Sequence, residues 1–323
     1  MLAAAVGLVL SAALLSVVVG SRPLPPAQVL QVLFAPDGSP TSLVVHDLRV
    51  PRTVVGIVVG MALGLAGAQL QGLTRNPLAD PGLLGVSAGA ALAVVATSTV
   101  LGIGGSAGQA LAAVVGALAA TAAVWVLAGS RRGVSPLPLV LAGVALTALL
   151  TSLTTVLVLR DAETLDEYRF WAVGSLAGRE LGQLLPVAPL LLVGVVLAVV
   201  CARTLDALAL GDDLARGLGA RLAWGQGGVA LSATLLTAAG VAVAGPVGFV
   251  GLVVPHVARA FVGPAARWLL PLSAMLGAVL LLTADVVGRV VARPGEVQVG
   301  IVTALVGAPF LLALVGRRRV AAP

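Results

Sequence analysis

Runs of about 20 apolar residues recur along this chain, parted by short polar breaks, and each run is as long as a helix must be to cross the hydrocarbon core of a bilayer. In that core every backbone amide and carbonyl must be bonded internally, so a spanning segment is either a helix or a strand of a closed barrel. Barrel strands would alternate apolar and polar residues, and these runs do not. The chain therefore reads as all-α, a polytopic membrane protein. Charged residues make up 10% of the 323, where a soluble domain carries about a quarter. Aromatics are only 3% against 40 glycines, so the helices are expected to pack through small residues.

About ten spans are expected, near 1–20, 53–73, 83–103, 108–128, 137–159, 184–203, 226–244, 247–262, 267–288 and 297–316, within one domain covering 1–323. The first run lacks a basic leading region and a clear small-x-small cleavage site before Arg22, so it reads as a span and not a removed leader. The run 247–262 is short and broken by Gly and Pro, as in a broken helix buried within protein. Gly56, Gly60, Gly64, Ala68 and Gly72 recur every fourth residue, a stripe along which a neighbouring backbone can approach.

Arginine placement sets the expected orientation. With both termini cytoplasmic, eleven arginines fall in inner loops and eight in outer ones, while Asp37, Asp47, Asp161, Glu163, Asp166, Glu167, Glu180 and Glu296 lie outside. The formal charge of +6 is spread over loops, which fits a basic membrane rim and not a nucleic-acid surface.

What the sequence lacks narrows the function. All 19 basic residues are Arg, and a nucleotide-binding P-loop needs Lys on the β- and γ-phosphates. His46 and His256 are the only histidines, so multi-histidine metal sites are absent, and two lone histidines argue against a catalytic triad. Cys201, alone in an apolar run, reads as a small buried hydrophobe. Neither an enzyme nor a cofactor or metal protein is expected. Ion-coupled carriers place ionisable groups within their spans. Here the clear intramembrane acid is Asp285, with Arg289 four residues on as its expected partner.

The polar segments carry the rest. Gln69 to Gly85 contains Asn76-Pro77 and Asp80-Pro81, two helix-breaking pairs in which Asp80 can cap the following helix. Leu48-Arg49-Val50-Pro51-Arg52 opens the second span. Further on come Phe170-Trp171-Ala172-Val173-Gly174-Ser175-Leu176, then Leu208 to Gly219, then Gly245-Pro246-Val247-Gly248-Phe249-Val250-Gly251-Leu252-Val253-Val254-Pro255-His256-Val257-Ala258-Arg259, and finally Asp285, Arg289, Glu296 and Gly300. In this order, over some 250 residues, these segments resemble the FecCD-type permeases, the membrane subunits of ATP-binding-cassette (ABC) importers for ferric siderophores, haem and cobalamin.

That resemblance implies the type II importer permease fold, with a second permease subunit, homologous or identical, across a shared pore. It implies two separate ATPase subunits that bind the ATP, an extracytoplasmic binding protein that delivers the ligand, and an iron–siderophore complex as the commonest cargo, with haem and cobalamin as rivals. By position, Arg49, Arg52 and Arg289 correspond to residues that receive the binding protein's carboxylates; anchoring of a helix end at the headgroups is the alternative. Leu210, Gly211, Asp212, Ala215, Arg216, Leu218 and Gly219, within the loop 205–224, correspond to the element seated in the ATPase; a solvated connector is the alternative. His256 beside Arg259 reads as a polar cap at the end of a span. The loop 130–138 is a candidate inner gate in which Pro136 and Leu137 replace the usual small polar residues. A stand-alone secondary transporter is the competing class.

Overall fold

The computed structural model describes residues 1–101, 106–128, 136–160, 162–209, 211 and 222–320. These residues form helices and connecting turns, with no strand among them. The helices are α1 (Leu2–Val18), α2 (Pro26–Phe34), α3 (Pro40–Leu43), α4 (Val50–Thr74), α5 (Val86–Leu101), α6 (Ser106–Leu127), α7 (Pro136–Val158), α8 (Ala162–Ala172), α9 (Ala188–Val200), α10 (Ala202–Ala209), α11 (Leu222–Ala244), α12 (Val250–Val262), α13 (Ala266–Val291) and α14 (Val299–Val320).

Each of the ten predicted runs coincides with a helix or a helix pair. Five helical stretches among the described residues are long and apolar enough to cross a bilayer, or six if α9 and α10, bent by 46° to one another, are one span. The remaining runs are the shorter apolar helices α1, α5, α12 and α14. The sequence reading missed α2, α3 and the amphipathic α8. It also began the second span too late. Helix runs on from Pro40 through a wide π-type turn at Val44–Arg49, after which Pro51 sits at the start of α4, where its missing N–H is tolerated.

Helix α4 is the axis of the fold. Eighteen of its 25 residues are buried, and it packs on α13, α11 and α12. Its small-residue stripe is the reason. A Cβ on Gly60 would stand 2.6 Å from the Gly277 carbonyl oxygen and 2.7 Å from Ala278 Cα, so α4 and α13 meet backbone to backbone. Gly64 abuts the Ser273 carbonyl, while Gly56 and Gly72 give room to Leu282 and Leu205. A second crossing of this kind, absent from the sequence reading, joins α5 to α6 at Gly89 and Gly116. Separately from the main core, Val29 and Val32 of α2 pack on Val17 and Val45, which fastens α2 over the end of α1.

Candidate functional site

The segments singled out in the sequence gather at the two ends of α4, roughly 37 Å apart at 1.5 Å per residue. At the Val50 end lies an ionic cluster. Arg52 grips Asp285 as a fork, Nη2 to Oδ1 at 2.8 Å and Nε to Oδ2 at 3.0 Å, and its Nη1 donates to Glu296 Oε2 at 2.8 Å. Arg289 completes the expected pair one helical turn away, Nη2 to Asp285 Oδ2 at 3.0 Å. One buried carboxylate thus answers two guanidiniums, and α4, α13 and the 292–298 connection are tied together. Burial favours the neutral form of Glu296, but the hydrogen bond and charge of Arg52 outweigh it and hold the carboxyl below the usual glutamate range.

Arg49 and Arg289 do something the sequence did not reveal. The last carbonyls of a helix lack partners within it, and α1 has no basic residue in its last turn. Arg289 Nη1 donates to the carbonyls of Ser16 at 2.9 Å and Val19 at 2.8 Å. Arg49 Nη1 donates to those of Val17 at 2.9 Å and Val18 at 2.7 Å, and Arg293 to Gly20 at 2.8 Å. Arg49 and Arg289 therefore cap α1, where positive charge also meets the negative end of the helix dipole, and Arg293 holds the chain just past its end. Docking to a partner's carboxylate requires exposed guanidiniums. Arg49 and Arg289 are 5% and 2% exposed, and their donors are committed inside the fold. Arg49 and Arg289 line one cavity at this end, and Arg52 lines two. With Glu296 and Arg179 it stands between two cavities of 590 and 570 Å3 at this end.

Beside this cluster three glycine-bearing segments knot together. Gly174 and Gly245, both at φ +73°, let the chain turn where other residues would be strained. Ser175 N–H donates to Ala244 O at 2.7 Å and Gly300 N–H to Gly174 O at 3.2 Å. Pro246 packs its carbonyl against Gly174, whereas Gly248 faces open space.

At the Thr74 end, Leu78 N–H donates to Asn76 Oδ1 at 3.0 Å and Gly82 N–H to Asp80 Oδ1 at 2.8 Å, so each acceptor precedes its proline and closes a local turn. Asp80 caps the short 3-10 turn Pro81–Leu84 that leads into α5, and not α5 itself. Pro255 lies inside α12 and has no N–H for the carbonyl four residues back. That carbonyl, of Gly251, accepts instead from Gln71 Nε2 at 3.2 Å, as does Leu252 O at 3.0 Å. The proline and the glutamine are therefore one device, which docks α12 on α4. His256 meets the Phe310 ring edge-on at 5.6 Å, and Arg259 reaches Gln71 Oε1 at 3.4 Å, both on a 580 Å3 cavity shared with Arg75. His256 thus lies at the middle of α12, as a wall of the cavity and not as the expected cap at a helix end.

The FecCD transport family profile matches residues 8–317. The chain belongs to the FecCD transport family. This FecCD-family chain is 43% identical over 313 residues to the ferric enterobactin transport system permease protein FepD of Escherichia coli (strain K12), covering 96% of this chain and 93% of that one. It is 40% identical to the hemin transport system permease protein HmuU of Yersinia pestis, over 84% of this chain and 83% of the relative. Among solved structures, an inward-facing protein described as a metal-chelate type ABC transporter superposes with a TM-score of 0.84 at 30% identity, over 98% of both chains. As a FecCD-family member with its run of apolar helices, the protein is a multi-pass protein of the cell membrane.

Of the predicted coupling residues in this FecCD-family chain, only Gly211, at φ +99°, is among those described. Leu210, Asp212, Ala215, Arg216, Leu218 and Gly219 lie outside the described residues. So does most of the candidate gate, of which the backbone of Pro136 and Leu137 begins α7.

Proposed function

We propose that this chain is the permease of an ATP-driven importer for an iron–siderophore complex, working as one of two permease subunits with two ATPase subunits and an extracytoplasmic binding protein. The observation that carries the reading is the match to FecCD transporters along nearly the whole chain, supported by relatives named for siderophore transport. Haem is the rival cargo, because the hemin permease is nearly as similar. Cobalamin is the third cargo that the family implies.

In this reading the chain supplies the conduit and no engine, since it has no lysine for a nucleotide-binding loop; ATP belongs to the partner subunits. The loop 205–224 seats in the ATPase, and α10, packed on α4 and α13, passes movement to the bundle. At the other end Arg52 meets the binding protein's carboxylates. Its fork geometry suits a carboxylate, and the half-buried Glu296 already holds its outward nitrogen in the way a partner acid would. Arg49 and Arg289 lie beneath it as supports for α1.

The test is reconstitution. Proteoliposomes holding this chain with its ATPase, and supplied with the binding protein, take up radiolabelled ferric siderophore only with internal ATP and not with haem or cobalamin as cargo. Uphill transport by the chain alone, under an ion gradient without ATPase, would make it a secondary transporter instead.

A further inference from the structure

Away from both ends of the site, α4, α9, α10 and α13 enclose an open groove of 820 Å3. Its walls are apolar: Val58, Met61 and Leu65 on one side, Leu191, Val195 and Val199 on the other. From Leu191 to Arg203 it runs about 18 Å along α9 and α10, at 1.5 Å per residue. That is near the depth of one leaflet in a hydrocarbon core of about 30 Å. The character changes at one end only, where Arg203 and Arg267 line the groove, both exposed. Beside them the half-exposed Trp268 lies 5.6 Å from the Arg267 guanidinium carbon, an amphipathic ring at the level where tryptophans favour the membrane–water boundary. The one acid on the rim is Asp206, whose Oδ1 accepts from the Ala266 N–H at 2.7 Å and so caps α13.

We infer that this groove is a site for one anionic phospholipid, with an acyl chain along α9 and the headgroup phosphate between Arg203 and Arg267. An open apolar slot as deep as a leaflet is matched by a lipid tail and left half-filled by a soluble anion. Two guanidiniums at its mouth, facing one carboxylate already bonded to a helix N-terminus, select negative headgroups over zwitterionic ones. The bend between α9 and α10 forms one wall, so the lipid would brace the element that leads into the coupling loop.

Native mass spectrometry of the full-length chain in detergent, titrated with phosphatidylglycerol or phosphatidylcholine of matched chains, tests this. Phosphatidylglycerol is expected to bind roughly 25-fold more tightly, at about fivefold for each arginine near an anionic surface. Arg203→Gln with Arg267→Gln abolishes that preference, Val195→Trp or Val199→Trp, which fill the groove, remove binding of both lipids, and Arg160→Gln, at the end of α7, changes neither. Inorganic phosphate does not compete. Equal binding of the two lipids by the unaltered chain overturns the inference. So does a preference that survives the double arginine variant, or lipid binding that survives both tryptophans.

Discussion

Asp285 is almost wholly buried, yet it stays tolerable because two guanidiniums converge on it, one from its own helix and one from α4. Removing one member of a buried pair leaves an uncompensated charge, which costs about 3–5 kcal/mol. Asp285→Ala is therefore expected to lower the thermal midpoint of the detergent-purified chain sharply. Adding Arg52→Ala to it should cost less than the two single changes together, because the carboxylate is already gone. Glu296 gives the same cluster a pH dependence. Its carboxyl titrates lower in the folded protein than in the unfolded chain, so the stabilisation is complete above the ordinary glutamate range and is lost as pH falls through the lowered value. Melting curves from neutral to acid pH should show that loss, and Glu296→Gln should flatten it. Within this cluster the Asp285–Arg289 pair was readable from an i,i+4 spacing. The stronger partner, Arg52, was not, because it lies 233 residues away. Nor could the sequence tell an arginine that caps a distant helix from one that grips a distant carboxylate, since the side chain is the same and only the fold supplies the partner.

Between helices, contact is decided by the absence of side chains. Along α4 the glycines remove the only atoms that would hold α13 away, and lipid offers no hydrophobic drive to restore a looser contact. Gly60→Val places branched carbons where the Gly277 carbonyl and Ala278 backbone now stand. Overpacking of this kind costs about 1–3 kcal/mol, read as a fall in thermal midpoint and as susceptibility to protease. The same change at Gly7, which faces open space on α1, should leave both measurements unmoved. The four-residue period made the stripe legible, but the partner face on α13 was not. Ser273, Gly277 and Ala278 carry no periodic signal strong enough to stand out of an Ala- and Gly-rich background. The proline in α12 is a similar case. Pro255 announces an unbonded carbonyl, while only the folded chain shows Gln71 supplying the donor.

For the whole molecule, the proposed orientation places the Thr74 end of α4 and the loop 205–224 on the cytoplasmic side, with both termini. A reporter that is active only in the cytoplasm should be active when fused after Pro323 and silent when inserted at Gly38, an exposed position between α2 and α3. The reverse result would move the ionic cluster to the inner face and remove it from any external partner. By itself the sequence determined the class of fold and the positions of the spans. Helix length and apolar content are local properties, and a bilayer leaves a backbone few other solutions. It also determined the family, through short polar segments whose order is preserved along the chain. The tertiary structure alone decided which charges are partners, which helix ends they cap and which helix lies at the centre. Those depend on residues brought together from hundreds of positions apart, and a buried charge is defined by what surrounds it, not by its neighbours in the chain.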